Sequence, residues 1–215
     1  MKDLSLKYKI QKPEIIAEKS PLILLLHGYG SNDDDLFSFA SELPKNAFVV
    51  SAQAPYLLQY GSYAWYAINF DADENKFSDI NQAIISRDLV VKFIDELLEI
   101  YPINDKKVTL VGFSQGSILS YGIALSYPEK IEKVAAFSGY FNEKIVKDDF
   151  LKNDFSHLKM FISHGTQDQV IPVSWAQKAP KILTNFGIEC QYHEYQMGHG
   201  INQQNFIDFM NWFNT

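Results

Sequence analysis

Short apolar runs alternate along the chain with amphipathic stretches, a pattern typical of α/β proteins with a mainly parallel sheet. Continuous apolar runs predict strands that are buried on both faces, whereas the apolar/polar alternation of Leu4–Ile10 predicts an edge strand. The predicted strands are Leu4–Ile10, Ile23–His27, Ala47–Ser51, Lys107–Val111, Ile131–Phe137, Met160–His164 and Glu189–Tyr195. No internal repeat or low-complexity tract interrupts this pattern.

Apolar residues at helical spacing lie between these strands. The predicted helices are Asp34–Leu43, Asp79–Ile100, Ser117–Tyr127, Val173–Asn185 and Ile201–Phe213. Pro102 and Gly187 follow two of them as stop signals. Residues 52–78 show no clear hydrophobic period. Connections of this length without secondary structure are uncommon, so we expect a functional loop or lid near a site.

Length and composition indicate an ordinary globular protein. The 215 residues suit one domain that spans residues 1–215, and the apolar fraction is 47%. We expect no signal peptide, and apolar runs such as Leu22–Leu26 are too short to cross a bilayer. The lone Cys190 cannot form an internal disulfide and is interpreted as an inert thiol. A cytoplasmic location is therefore expected.

The net charge and the absence of metal-ligand and nucleotide-binding motifs disfavour several classes of function. The net charge is −7 and Arg87 is the only arginine, which disfavours nucleic-acid binding and stable membrane association. The acidic run Asn32–Asp35 is interpreted as a helix start that Ser31 or Asn32 caps, rather than as a cation site. No metal-ligand spacing and no glycine-rich nucleotide motif occurs, so we expect neither a metal nor a cofactor.

A five-residue motif lies between a predicted strand and a predicted helix. Gly112-Phe113-Ser114-Gln115-Gly116 matches Gly-x-Ser-x-Gly, the nucleophile elbow of the α/β-hydrolase fold. Such a sharp turn strains the serine backbone and projects its hydroxyl, while side chains two residues away would collide with neighbouring elements. The motif predicts Ser114 as a nucleophile; the alternative is an ordinary glycine-rich turn.

A serine hydroxyl needs a general base, and the base needs a group that orients it. His199 lies between glycines in the loop before the last helix, at a strand end where α/β sheets place ligand chemistry. Asp168 lies between Ser114 and His199 in sequence, the chain order of this fold. We expect His199 as base and Asp168 as its partner. The alternatives are a capping or surface histidine and a turn aspartate; the competing acids are Asp148, Asp149 and Asp154.

Two loops are expected to supply backbone donors for an oxyanion. His27-Gly28-Tyr29-Gly30 ends an early strand, and in this fold that loop supplies one N–H while the residue after the nucleophile supplies the other. The predicted donors are the N–H groups of Tyr29 and Gln115; the alternative for the first loop is a simple turn. His27 and His164 each precede a glycine and are interpreted as structural.

These segments together resemble the phospholipase/carboxylesterase family, which includes the acyl-protein thioesterases. The resemblance rests on Leu26–Gly30, Gly112–Ser117, His164–Pro172 and Gly198–Ile201, and on Ala54-Pro55 and Ala64-Trp65-Tyr66. It extends from about Leu22 to the C-terminus. It implies an α/β-hydrolase fold, a three-layer sandwich with a mostly parallel central sheet and no large cap domain.

The resemblance also implies hydrolysis of small-molecule esters or thioesters without a metal or cofactor. It gives Ser114, Asp168, His199, Tyr29 and Gln115 the roles stated above. Trp65, which family members place near the site, and Val170, beside Asp168, are the expected substrate-binding residues. The main prediction is a carboxylesterase; the alternatives are a thioesterase or lysophospholipase for long acyl chains, an acyltransferase, and a non-catalytic binding module. The protein is expected to be a monomer or a homodimer.

Overall fold

A computed structural model describes residues 4–15, 17–70 and 76–214. Within these residues the strands are β1 (Tyr8–Gln11), β2 (Ser20–Leu26), β3 (Phe48–Ala52), β4 (Tyr56–Gln59), β5 (Ser62–Ala64), β6 (Ile68–Phe70), β7 (Lys76–Ser78), β8 (Ile103–Phe113), β9 (Lys133–Phe137), β10 (Lys159–Gly165) and β11 (Glu189–Tyr195). The α-helices are α1 (Ile80–Ile100), α2 (Gln115–Ser126), α3 (Val173–Ala176), α4 (Ala179–Asn185) and α5 (Gln203–Phe213).

Seven of these strands form the central sheet, in the order β1-β3-β2-β8-β9-β10-β11. The edge strand β1 pairs antiparallel with β3, and every other neighbouring pair in this sheet is parallel. The predicted α/β fold with a mostly parallel sheet is confirmed. Since parallel strands all end at one edge of the sheet, the loops that follow β2, β8, β10 and β11 gather at the same edge.

Helices cover both faces of the sheet, because successive residues of each strand point to opposite sides. Leu22, Leu24 and Leu26 of β2 belong to the core cluster that contains residues of α1 and α2. Ile23 and Leu25 belong to the second cluster, which contains residues of α5. All five side chains are buried, which explains why this strand is a continuous apolar run rather than an alternating one.

Several predicted elements differ in extent or type, and the strand predicted at Lys107–Val111 extends over Ile103–Phe113. The edge strand covers Tyr8–Gln11 rather than Leu4–Ile10, because its pairing partner β3 ends at Ala52 opposite Tyr8. The helix predicted at Asp34–Leu43 is a 3₁₀ helix over Leu36–Glu42. The helix predicted at Val173–Asn185 is interrupted between α3 and α4. Pro180 explains that break, since it has no N–H to donate to the carbonyl of Ala176.

The aperiodic residues 52–78 contain regular structure after all. Strands β4 and β5 form one antiparallel hairpin, whose turn contains Gly61 at a φ of 74°. Strands β6 and β7 form a second hairpin, and residues 71–75 between them lie outside the described residues. Both hairpins are too short to produce a periodic signal, which is why the pattern predicted a loop here.

None of the helices among the described residues combines the length and the apolar character needed to cross a membrane.

Candidate active site

Ser114 occupies the sharp turn between β8 and α2. Its φ is 53° and its ψ is −113°, a left-handed conformation that a residue with a side chain rarely adopts. The turn is held on both sides: the Ser114 N–H donates to the carbonyl of Phe137 at 2.8 Å, and its carbonyl accepts from the N–H of Ile118 at 3.0 Å. These two hydrogen bonds hold Ser114 in its strained backbone conformation.

The glycines on either side of Ser114 are required by contacts with backbone. A Cβ on Gly112 would lie 2.5 Å from the carbonyl oxygen of Gly116. A Cβ on Gly116 would lie only 2.0 Å from the carbonyl oxygen of Leu26 in β2. Backbone cannot rotate away as a side chain can, so the steric reason given for the two motif glycines is confirmed.

Replacement of Gly116 by alanine is therefore expected to destabilise the protein by about 3 kcal/mol or more, at the upper end of overpacking effects. For a chain of this size, such a loss corresponds to a fall in Tm of roughly 10 °C. Gly200→Ala is the matched control, since a Cβ there meets nothing within 4 Å. Thermal unfolding followed by circular dichroism measures both; a Gly116→Ala protein with the wild-type Tm would contradict the packing argument.

The structure brings the side chains of Ser114, His199 and Asp168 into one hydrogen-bonded series. The Ser114 hydroxyl lies 2.9 Å from Nε2 of His199, and Nδ1 of the same ring lies 2.6 Å from Oδ2 of Asp168. A carboxylate oxygen only accepts hydrogen bonds, so Nδ1 carries the proton and Nε2 is free to accept from the serine. The loops after β8, β10 and β11 each supply one of the three residues.

The carboxylate of Asp168 is buried and held by the loop that carries it. Its Oδ1 accepts from the N–H groups of Val170 at 2.8 Å and Ile171 at 2.9 Å. Burial is the largest influence on this carboxyl group and opposes ionisation. The hydrogen bonds from Ile171, His199 and Val170 together outweigh burial, so that the pKa of Asp168 lies below its ordinary value. Asp168 is therefore ionised at neutral pH.

The three competing acids lie elsewhere. Asp148, Asp149 and Asp154 are all exposed, and none of them lines the cavity beside Ser114. Asp154 instead accepts a hydrogen bond from the N–H of Ser156 in its own turn, at 2.9 Å.

A second imidazole, that of His164, lies against Asp168. The sequence pattern led us to interpret His164 as structural and did not predict this contact. The ring is fully buried, with Nε2 2.9 Å from the carbonyl of Ile171 and 3.2 Å from Oδ2 of Asp168. Nε2 is hydrogen-bonded to the Ile171 carbonyl, an acceptor, so Nε2 carries the proton, and this N–H also lies beside the Asp168 carboxylate. The sequence feature that could have predicted this contact is the four-residue spacing between a histidine at a strand end and the aspartate of the next turn.

His27 orients the peptide that contains the Tyr29 N–H. Its Nε2 accepts from the N–H of Ala54 at 3.1 Å, so its Nδ1 carries the proton and donates to the carbonyl of Gly28 at 2.7 Å. Burial lowers the pKa of His27, which favours this neutral form. The Gly28 carbonyl and the Tyr29 N–H belong to one planar trans peptide, so fixing the first also fixes the direction of the second.

The two predicted oxyanion donors are placed next to Ser114. Tyr29 and Gln115 both line the same cavity as Ser114 and His199. The Tyr29 N–H makes no hydrogen bond to the described part of the chain. Gln115 is the first residue of α2, and the N–H of a first helical residue has no acceptor within its own helix. Both N–H groups are thus available to an anion.

Trp65 does not form a wall of the cavity, so its prediction as a substrate-binding residue is corrected. Its side chain is fully buried, and its Nε1–H donates to the carbonyl of His27 at 2.9 Å. The Gln115 side chain clamps the same segment, accepting from the Trp65 N–H at 2.8 Å and donating to the Tyr66 carbonyl at 2.7 Å. Trp65 therefore supports the site from the core, and Tyr66 lines the cavity instead.

A cavity of about 760 Å³ opens beside Ser114 and His199. Its volume is in the range of small-molecule sites. Most of its lining is apolar or aromatic, and includes Ile80, Ile118, Tyr140, Phe141, Ile171, Trp175 and Ile182. Val170 also lines it, with 51% of its surface exposed. Tyr66, Ile68 and Ser78 line it from the segment 52–78, so the expectation that this segment lies near a site is confirmed.

The acidic run after β2 makes local contacts. Asp34 pairs with Lys9, and the Asp35 carboxylate accepts from the hydroxyl of Ser31 at 2.7 Å. Asn32 accepts from the N–H of Asp34 in a turn, and the 3₁₀ helix starts after Asp35, so neither predicted residue caps it. Within the described ranges, no group of three or more His, Cys, Asp or Glu side chains is arranged to hold a metal ion.

Cys190 lies in β11 and is half-buried. Burial raises the pKa of its thiol to about 12, so the thiolate is scarce at neutral pH. This environment agrees with the interpretation of Cys190 as an inert residue.

The sequence matches a model of one protein family over most of its length. That family is described as phospholipase/carboxylesterase, and the match covers residues 9–215. A rice (Oryza sativa subsp. japonica) protein named as a probable carboxylesterase is 24% identical over 208 residues, which are 91% of this chain and 77% of the relative. Acyl-protein thioesterase 1 of Yarrowia lipolytica is 25% identical over 91% of this chain and 92% of its own.

Solved structures share the fold. The carboxylesterase of Bacillus cereus superposes with a TM-score of 0.83 at 19% sequence identity, over 97% of this chain and 93% of that protein. Esterase PE8 superposes with a TM-score of 0.81 at 23% identity, over 97% and 98% of the two chains. The architecture is therefore that of an α/β hydrolase.

Proposed function

The chain belongs to the phospholipase/carboxylesterase family, and we propose that it is a serine hydrolase that cleaves carboxylic esters through an acyl-enzyme on Ser114. The observation that carries this proposal is the series Ser114 Oγ, His199 Nε2 and Nδ1, and Asp168 Oδ2, with separations of 2.9 and 2.6 Å. In that series each donor faces one acceptor, as general-base activation of a hydroxyl requires.

In the first half of the reaction, the Ser114 oxygen attacks the carbonyl carbon of the ester while Nε2 of His199 takes the hydroxyl proton. The imidazolium that forms is stabilised by the Asp168 carboxylate, which stays ionised throughout. The tetrahedral intermediate then collapses: the bond to the leaving oxygen breaks, and His199 gives that oxygen its proton. The products of this half are an alcohol and an acyl group esterified to Ser114.

In the second half, water takes the place of the alcohol. His199 removes a proton from the water, whose oxygen attacks the acyl carbon. Collapse of the second tetrahedral intermediate breaks the bond to the Ser114 oxygen, and His199 returns the proton to the serine. A carboxylic acid leaves, and the enzyme is restored.

In each tetrahedral intermediate the former carbonyl oxygen carries a negative charge. We assign the stabilisation of this charge to hydrogen bonds from the N–H groups of Tyr29 and Gln115. Such a donor pair is worth most when it is fixed before the reaction begins. His27 and Trp65 provide that rigidity for the first donor, and the helix α2 provides it for the second. Loss of one donor of this kind costs about 3–4 kcal/mol of transition-state stabilisation.

A thioesterase that acts on long acyl chains is the second candidate, and the acyl-protein thioesterase among the relatives favours it. The leaving thiol would take the same proton from His199. The two candidates differ in how far the substrate extends along the cavity.

Turnover of p-nitrophenyl esters from acetate to palmitate distinguishes them. Each methylene buried in an apolar cavity contributes about 0.8 kcal/mol, so kcat/KM rises about fourfold per carbon until the cavity is full. We expect the rise to stop between butyrate and octanoate, because exposed side chains, including Val170 and Trp175, show that the cavity opens to water. A steady rise to palmitate would instead support the long-chain candidate. Absence of turnover with every ester would contradict the proposed function.

A further inference from the structure

Two lysines contribute to the wall of the cavity that contains Ser114. Lys144 lies in the 3₁₀ helix Glu143–Ile145, and Lys178 lies in the connection between α3 and α4. Neither ammonium group forms an ion pair with a described acidic side chain. Two lysines whose ammonium groups pair with no described acidic side chain therefore line the cavity.

The position of Lys144 is fixed by the scaffold. Arg87, the only arginine of the chain, is buried and donates from Nη1 to the carbonyl of Ile145 at 2.8 Å. The Asn142 side chain accepts from the Lys144 N–H at 3.2 Å. This part of the wall is thus anchored at its backbone, and the exposed lysine side chain extends from it.

Lys178 is placed by a different part of the fold. The neighbouring Trp175 contacts Tyr140 edge-to-face, with ring centroids 5.0 Å apart, and both aromatic rings line the cavity. The interruption of the helix at Pro180 leaves Lys178 just before α4. Two separate segments therefore bring a cation to the same cavity.

The charge of these lysines contrasts with that of the protein as a whole. The net charge is −7, which repels anions in general. The described charged residues of the lining are Lys144, Lys178 and Asp35, and Asp35 already accepts a hydrogen bond from Ser31. This cationic part of the wall therefore favours a ligand that places one negative charge next to it.

The chemistry of the pair favours a carboxylate over a phosphate. The two lysines and Asp35 leave the lining with a charge of about +1, which matches one carboxylate better than a phosphate monoester, whose charge at neutral pH is about −1.5 to −2. The Arg87 guanidinium lies outside the cavity lining, with Nε donating to Asp88 at 2.8 Å. Two ammonium groups from different segments suit the two oxygens of one carboxylate.

From this arrangement we infer that the preferred substrate is an ester or thioester that carries a carboxylate away from its reacting carbonyl, and that Lys144 and Lys178 bind this carboxylate. The inference rests on the proposed function, because Ser114 performs the chemistry on the same molecule. The apolar lining alone does not determine whether the substrate is charged, whereas the two lysines favour an anionic one.

Paired substrates test the inference on both sides of the ester bond. On the acyl side, p-nitrophenyl hydrogen glutarate is compared with its neutral methyl ester. On the alcohol side, para-acetoxybenzoate is compared with its methyl ester. The quantity measured is the ratio of kcat/KM for the charged and the neutral member of each pair, in the wild type, Lys144→Gln, Lys178→Gln and the double variant.

We expect the ratio for at least one pair to fall about threefold in each single variant and about tenfold in the double variant, as partly solvated ion pairs allow. The ratio is the quantity compared, because a change in the packing of the lining alters the rates of the charged and the neutral member alike. Salt should reduce the wild-type ratio, since it screens the attraction. Lys181→Gln is the matched control, because this exposed lysine of α4 does not line the cavity and its replacement removes the same charge. It should leave both ratios unchanged.

Ratios that stay within twofold of wild type in the double variant, for both pairs, would overturn the inference while leaving ester hydrolysis intact. An equal fall in Lys181→Gln would also overturn it, since net charge rather than the cavity would then be responsible. If the wild type hydrolyses none of the four esters, the proposed function fails and the inference fails with it.

Discussion

Replacement of Ser114 by alanine is expected to lower kcat/KM for a p-nitrophenyl ester by roughly 10⁶-fold, the loss typical of removing a serine nucleophile. The variant keeps the N–H groups of Tyr29 and Gln115 but has no oxygen to attack the carbonyl. His199 keeps its contact with Asp168, so we expect a small residual rate from direct attack by water. Since the hydrogen bond to His199 is the only one between the serine hydroxyl and the described side chains, the Tm should change little.

Ser117→Ala is the matched control for this experiment. Ser117 is buried in α2 three residues later, and its hydroxyl has no hydrogen-bond partner among the described residues. Its removal should therefore leave kcat/KM within a factor of two of wild type. Retention of more than about 1% of wild-type activity in Ser114→Ala, measured on freshly purified protein free of other esterases, would show that another residue is the nucleophile.

Replacement of Asp168 by asparagine is expected to lower kcat/KM by about 10⁴-fold. The two side chains have nearly the same shape, so the effect comes from chemistry rather than packing. An amide NH₂ placed at Oδ2 would donate to Nδ1 of His199, and the ring proton would then move to Nε2. In that tautomer Nε2 faces Ser114 with a proton and cannot remove the one on the hydroxyl.

Asp154→Asn is the control, because this exposed aspartate is one of the competing acids and does not line the cavity. It should retain wild-type activity. A loss confined to Asp154→Asn, with Asp168→Asn active, would reverse the assignment of the acid.

The same substitution changes the response of stability to acid. The pKa of Asp168 is depressed in the folded protein below its ordinary value of 3.8. The stabilisation that this group contributes is present above the ordinary pKa and is lost as the pH falls through the folded-state pKa. Thermal unfolding between neutral pH and the acid limit should therefore show a shallower decline for Asp168→Asn than for the wild type. Equal declines would contradict the ionised state of the buried carboxylate.

The parts of the fold that carried strong patterns were predictable. The run Leu22–Leu26 is apolar on both faces, and it forms the buried strand β2 next to β8. Ser114, Asp168 and His199 could be predicted as partners because parallel strands end at one edge of the sheet, where their following loops meet. Their order along the chain then identified the arrangement, although they are far apart in sequence.

The wall of the cavity was less predictable for a physical reason. Trp65 and Tyr66 are adjacent and follow the short strand β5, so which of the two faces the cavity depends on the path of the chain. In extended backbone, neighbouring side chains point in opposite directions, and a shift of one residue exchanges their places. No periodic signal specifies that path in residues 52–78.

The remaining site residues come from similarly irregular segments. Lys178 lies at a helix break that depends on Pro180, and Lys144 lies in a 3₁₀ turn anchored by the distant Arg87. His164 lies at the end of β10, where its contact with Asp168 depends on the turn that follows. Such contacts between irregular segments are set by tertiary packing, which leaves no regular spacing in the sequence.

The most direct test of the account is to locate the covalent adduct that a fluorophosphonate forms with the protein. The wild type is reacted with the probe, digested, and analysed by mass spectrometry beside Ser114→Ala and Ser117→Ala. We predict one adduct per chain in the wild type and in Ser117→Ala, on the peptide that contains Ser114, and none in Ser114→Ala. Undiminished labelling of Ser114→Ala, or an adduct on any other residue of the wild type, would contradict the assignment of Ser114 as the nucleophile.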